Sequence, residues 1–127
     1  MTARDVLLPL SELVTLPPGA TLLQLERLVA STGYSRYPVR KDGELTGYVH
    51  AKDILGFDPD QHDVPLPPTI VRPMVNIPAE TTVADALAAM QHSDSHIARV
   101  SERADTLGVI LLADLLQQLV GEIGTTS

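Results

Sequence analysis

Two aspartates recur at one offset from a glycine, and they are the residues best placed to do chemistry. Asp53 lies six positions after Gly47 in Gly47-Tyr48-Val49-His50-Ala51-Lys52-Asp53-Ile54-Leu55. Asp114 lies six after Gly108 in Gly108-Val109-Ile110-Leu111-Leu112-Ala113-Asp114-Leu115-Leu116. The glycine admits a neighbouring backbone or a ligand where a side chain would block it. The aspartate falls where a strand gives way to a helix, and a carboxylate there caps free amides and complements the helix dipole. Other chemistry finds little support. His92 and His96 stand four apart with Asp94 between them, the outline of a metal pair, but the helix carrying His92 should be ending there. His50 and His62 have no partners at ligand spacing. There is no Ser-His-Asp set, glycine-rich phosphate loop or paired-carboxylate motif, so no catalytic residue or metal ligand is assigned and an enzyme is not expected.

The elements that must position these aspartates form a tandem repeat. A shift of about 60 residues pairs Leu13-Val14-Thr15-Leu16-Pro17 with Met74-Val75-Asn76-Ile77-Pro78, Thr21 with Thr82, and Gly47 with Gly108. In the first unit 14–16 reads as a short strand stopped by Pro17-Pro18-Gly19. Thr21-Leu22-Leu23-Gln24 has the form of a capping box, and Leu22, Leu25, Leu28 and Val29 place an apolar stripe on the helix that follows, ended by Thr32-Gly33. Strands at 36–39 and 45–49 flank Lys41-Asp42-Gly43 as a hairpin, and a second helix starts at 53–55. The second unit repeats the plan: a strand ending at Ile77-Pro78, a cap at Thr82, a helix carrying Val83, Ala86, Leu87 and Met90, strands at 96–100 and 107–111 around a polar turn at 101–106, and a closing helix from Asp114 to a stop at Gly121. The fold class is therefore α/β (α+β), with each repeat in the order strand, helix, strand, strand, helix. The expected divisions are a leading segment 1–12, repeat one 13–56, a stiff proline-rich linker 57–73, repeat two 74–121 and a frayed tail 122–127.

Composition narrows the function. The 127 residues carry a formal charge of −7, no cysteine and no tryptophan. The acidic balance argues against nucleic acid, and the lack of cysteine removes disulfides and thiolate metal sites. No apolar run approaches the roughly 20 residues of a membrane span, and no signal peptide follows Met1. The chain reads as a soluble acidic domain with an aliphatic core.

The repeat order, the Tyr37-Pro38-Val39 strand and the stretch from Gly47 to Asp53 resemble a CBS domain, and two in tandem resemble a Bateman module, with pseudo-twofold symmetry between the repeats. The likeness runs from about residue 6 to 121. Ser35-Arg36-Tyr37-Pro38-Val39, Arg72-Pro73, Ile77-Pro78-Ala79-Glu80-Thr81, Ser95-His96-Ile97-Ala98 and Val120-Gly121-Glu122-Ile123 are similar to the CorC/HlyC hemolysin-like branch, relatives of the cyclin M magnesium transporters. Arg4-Asp5-Val6-Leu7-Leu8-Pro9 resembles the segment that leads into the module there. The resemblance implies a cytosolic regulator attached to a membrane transporter domain, here a fragment or a member cut down to its sensor. It would lie at the inner face of the membrane when so attached.

That family's modules bind adenosine nucleotides in two clefts, which need an apolar slot for the base, a carboxylate for the ribose hydroxyls and a cation or hydroxyl for phosphate. By position the resemblance puts Asp53 on ribose, Arg36 and His50 near phosphate, and Tyr37, Pro38 and Asn76 around the base in the first cleft. In the second it puts Asp114 on ribose, His96 near phosphate, and Thr15, Ile97 and Ala98 around the base. The implied ligand is ATP or AMP, with or without magnesium. The chain departs from the pattern at Leu111, where a hydroxyl donor is common, and at 101–106, where an acidic, glycine-rich turn is expected; Arg99 or Arg103 is the candidate substitute charge. Ile54-Leu55 and Leu115-Leu116-Leu119 are expected to stay apolar after the core is served, and to form a homodimer through the CBS helices. The expected function is a nucleotide-binding regulator of a divalent-cation transporter. The rival is a structural homodimerisation module whose nucleotide sites have decayed.

Overall fold

Segments lying before each repeat, rather than the repeats alone, complete the two sheets. The computed structural model describes residues 1–125, with side chains through Gly121. It divides into two compact units, one of Met1–Leu13 with Met74–Ser127 and one of Val14–Pro73.

The unit holding the second repeat has a four-stranded sheet in the order β1-β6-β5-β4, with β1 at Leu8–Pro9, β4 at Val75–Pro78, β5 at Ile97–Glu102 and β6 at Asp105–Leu111. β4 and β5 are parallel, and the other pairs are antiparallel. Helices α3 (Val83–His92) and α4 (Leu112–Thr125) complete the repeat, and the short α1 (Ala3–Val6) precedes β1. Thr82 caps α3 by accepting the Asp85 N–H at 3.1 Å, a bond worth ~1 kcal/mol. Ala86, Met90, Ala98, Val100, Ile110 and Leu115 form the core with Ala3 from the leading segment. That segment is tied down further by Ala3 N–H to the Thr81 carbonyl at 2.8 Å and by Arg4, which pairs with Glu80 and Glu102.

The unit holding the first repeat is a less regular version of the same sheet. The α2 helix (Leu22–Thr32) is followed by the β2–β3 hairpin, Arg36–Lys41 with Glu44–His50. Leu16 bridges Val39 in parallel, and Arg72 bridges Tyr48 antiparallel. The spatial order Arg72, β3, β2, Leu16 thus matches β1, β6, β5, β4. The capping box at Thr21 and Gln24 is formed, and Gly33 at φ +71° ends α2. Leu16, Leu25, Tyr37 and Val49 centre this core; burying each aliphatic side chain contributes ~1.5–3 kcal/mol.

Five expectations need correction. The strand at 14–16 is a single bridge at Leu16, because Pro17 and Pro18 lack the N–H groups that would extend a ladder. The helix after Asp53 is a 3₁₀ turn, Ala51–Gly56, too short to accumulate α-helical bonds. Gly121 does not stop α4, which continues to Thr125, since it does not adopt the left-handed φ seen at Gly33. The tail expected at 122–127 is therefore helical as far as Thr125, and 126–127 lie outside the described residues. The turn in the second hairpin is narrower than 101–106, because the strands run to Glu102 and resume at Asp105, with Arg103 at φ +56°.

Gly47 and Gly108 do one job in two places. A Cβ on Gly47 would stand 2.6 Å from the Arg72 carbonyl oxygen and 2.7 Å from Val71 Cγ1. A Cβ on Gly108 would overlap the Leu8 carbonyl itself. Each glycine allows a segment that leads into the other repeat, Val71-Arg72 or Leu7-Leu8, to cross the strand at backbone distance. Gly108→Ala should lower the urea midpoint by the equivalent of ~1–3 kcal/mol and cost more than Gly47→Ala. Gly56→Ala, with no heavy atom within 4 Å of the new Cβ, should leave the midpoint within about 0.5 kcal/mol of the parent.

Candidate functional site

At the end of β3 the chain turns into the 3₁₀ segment and brings a carboxylate back over its own backbone. Asp53 Oδ2 accepts the His50 N–H at 3.0 Å, and His50 Nδ1 accepts the Lys52 N–H at 3.0 Å. The neutral His50 ring then carries its proton on Nε2, leaving one donor for a ligand. Asp53 also receives a guanidinium fork: Arg72 Nη1 donates to Oδ2 at 2.7 Å and Nη2 to Oδ1 at 3.0 Å. Arg72 is held there because its N–H and carbonyl exchange bonds of 2.8 and 3.0 Å with Tyr48.

These contacts set the local titration. Burial alone would raise the Asp53 carboxyl, but the Arg72 guanidinium and the His50 N–H outweigh it and hold the group below the usual carboxylate range. Burial lowers His50, and the charges of Arg36, Arg72 and Lys52 lower it further. The Asp53 carboxylate raises Arg72. Within a chain of net charge −7, this corner of the first-repeat unit is locally cationic.

Arg36 pairs with His50 across the β2–β3 register, so both project at the same end of the hairpin as Asp53. Tyr37 is wholly buried, and its hydroxyl lies 2.8 Å from Thr32 Oγ1. Pro38 is buried as well, and its carbonyl accepts the Leu16 N–H at 2.9 Å. Alternation along β2 turns Tyr37 into the core, so its side chain is no wall for a base. Asn76 belongs to the other unit, where its Oδ1 accepts Arg99 Nε at 3.1 Å. An apolar cleft of ≈ 380 Å³ is lined by the Pro17-Pro18 turn, Val39, Thr46, Val49 and Val71, the last two being chain neighbours of His50 and Arg72.

The second-repeat unit carries Asp114 in the first turn of α4. Asp114 is exposed, and among the described residues its side chain has no hydrogen-bond or ion-pair partner. Leu111, opposite Ile97 at the end of β6, is half-buried and has no acceptor to make the box that His50 makes. His96 is exposed, and its carbonyl accepts the Leu112 N–H at 2.9 Å. Ile97 and Ala98 are fully buried, so only their main-chain atoms could meet a base. Thr15 lies in the first-repeat unit, half-buried. α3 ends at His92, so His92 and His96 do not share a helix. Among the described residues no three metal-ligating side chains gather, and no helix is long and apolar enough to cross a membrane.

The residue that sequence reasoning missed is Arg72. It was visible only as the leading half of a family string, Arg72-Pro73. Setting Val71-Arg72-Pro73 beside Leu7-Leu8-Pro9 would have shown both as segments preceding a repeat, with a cation in one copy and a leucine in the other.

The apolar surface also differs from expectation. Leu115 is core, and Ile54 and Leu119 lean on the two cores. Leu55, 85% exposed, and Leu116 remain outside, joined by Val120.

A glycine-crossed strand feeding an aspartate at a helix start, twice over, defines a pair of CBS domains. The CBS domain profile matches residues 3–60 and again 68–121, and the chain belongs to the CBS domain family. It is 36% identical over 105 residues to an uncharacterized protein of Mycobacterium tuberculosis, covering 81% of this chain and 30% of that one. It is 28% identical over 123 residues to the magnesium and cobalt efflux protein CorC of Salmonella typhimurium, covering 94% of this chain and 42% of the relative. A solved CBS domain of the bacterial CNNM/CorC family Mg2+ transporter in complex with ATP matches with TM-score 0.86 at 25% identity, over 95% of this chain and 88% of that one. The chain thus spans less than half the length of these curated relatives.

Both lowered values put fewer protons on the folded chain than on the unfolded one, so stability falls on acidification. The His50 part is lost as pH drops below its ordinary value of 6.5. The Asp53 part is complete above the ordinary 3.8 and is lost as pH falls through the lowered value. Urea unfolding followed against pH should show a shallower fall between about pH 7 and 5 in His50→Gln, and a shallower fall below about pH 4 in Arg72→Gln.

Proposed function

We propose that the chain is a regulatory CBS pair that binds an adenosine nucleotide, ATP with magnesium or AMP, and controls a CorC-type divalent-cation transporter domain from the cytosolic side of the membrane. The observation that carries this reading is the exposed Asp114 carboxylate at a strand-to-helix junction. It stands in a chain similar to a CBS domain solved with ATP. A free carboxylate accepts both hydroxyls of a ribose, and such charge-assisted bonds are stronger than neutral ones. Regulation follows when the ligand favours one conformation of the module over another, through differential affinity alone. The role is binding rather than catalysis.

Because Asp114 is open and Asp53 is engaged by Arg72, the two carboxylates should not contribute equally. Isothermal titration with ATP, ADP and AMP, each with and without magnesium, should give micromolar to low-millimolar binding. Asp114→Ala should weaken it roughly tenfold or more, and Asp53→Ala should weaken it less. No heat and no thermal shift with any of the three would remove the sensor reading.

A structural homodimer is the second reading, favoured by the exposed Leu55, Leu116 and Val120 and by the internal ion pair at Asp53. Single exposed apolar residues are ordinary on a monomer, so the test is direct. Sedimentation equilibrium should show a dimer that Leu55→Glu with Leu116→Glu converts to monomer; a wild-type monomer at all concentrations would end this reading.

A further inference from the structure

We propose that Arg72 is a specificity latch on Asp53, excluding unphosphorylated nucleosides from the first repeat and admitting phosphorylated ones. This rests on the reading of Asp53 as an acceptor for ribose hydroxyls. A carboxylate offers about four lone-pair positions. Three are taken: Oδ2 accepts His50 N–H and Arg72 Nη1, and Oδ1 accepts Arg72 Nη2. A vicinal diol needs one position on each oxygen, and the Asp53 side chain is only 13% exposed. Guanidinium and diol therefore compete for the same atoms.

The latch can open without unfolding the unit. The Arg72 backbone is fixed by its two bonds to Tyr48, while its side chain is 43% exposed and is held, besides Asp53, by one long Nη1 bond of 3.4 Å to the Ile70 carbonyl. A neutral nucleoside that takes Asp53 leaves the guanidinium without its anionic partner, with only the long bond to the Ile70 carbonyl. A ligand carrying phosphate gives it a new one, since the same fork binds phosphate in two-point fashion. Arg36, which pairs with His50 in register, and Lys52, in the same turn, add positive charge beside it. The second repeat has no such device: the segment crossing Gly108 offers Leu8 where the one crossing Gly47 offers Arg72.

Titration with adenosine and with ATP, both in an Asp114→Ala background so that only the first repeat reports, tests the latch. Arg72→Gln should tighten adenosine roughly three- to tenfold, the order supported by a partly exposed two-point ion pair, without tightening ATP. The adenosine gain should vanish when Asp53→Asn is added. Adenosine binding that stays absent, unchanged or weaker in Arg72→Gln would overturn the proposal. If Arg72→Gln does not fold, ¹⁵N guanidinium spectra of the Asp114→Ala protein supply the answer. The Arg72 head group should be rotationally hindered alone and change environment at saturating ATP, and an unchanged Arg72 signal would overturn the latch. Failure of the regulator reading looks different. There the wild-type chain binds no nucleotide, whatever Arg72→Gln does with adenosine.

Discussion

Both sheets depend on one steric constraint, a backbone segment laid across a strand where the side chain is missing. At Gly47 the crossing segment is Val71-Arg72, and at Gly108 it is Leu7-Leu8. Each crossing covers a sheet edge that would otherwise present unpaired amides. Because the crossed strand, β3 or β6, runs straight on into the turn that bears the aspartate, the glycine also fixes where that carboxylate emerges. Packing, edge protection and the position of the candidate ligand group thus share a single cause.

The chain carries two copies of this device, and they differ in polarity as well as in local shape, a 3₁₀ turn after β3 and an α-helix after β6. One places an arginine beside the aspartate, so the carboxylate is internally neutralised, while burial and then the nearby cations lower the neighbouring His50. The other places a leucine there and a second leucine at position 111, so its aspartate faces solvent. A buried carboxylate requires a partner, whereas an exposed one does not. The device therefore carries a paired carboxylate in one unit and an exposed one in the other.

Much of the fold was legible from local signals. The Thr21 and Thr82 caps, the Gly33 stop, the Asp42-Gly43 turn and the glycine-to-aspartate spacing each act within a few residues, and each forms as read. The features that escaped depend on distant partners. Nothing local says that Leu8 will pair with Val109, or that a linker arginine will meet Asp53 nineteen positions earlier. Tyr37 reads equally well as a ligand wall or a core residue until its hydroxyl finds Thr32. Gly121 carries a helix-stop residue type, yet a glycine stops a helix only where its φ turns positive. The candidate carboxylates were legible; that one is paired with an arginine and the other exposed was not.

The most direct test of a ligand-responsive CBS pair is amide hydrogen exchange of the wild-type chain with and without saturating ATP and magnesium. Slowed exchange is expected at the amides following β6, around residues 111–114, with any change around residues 50–53 smaller. Identical exchange at both junctions would contradict this expectation and leave the chain as a scaffold.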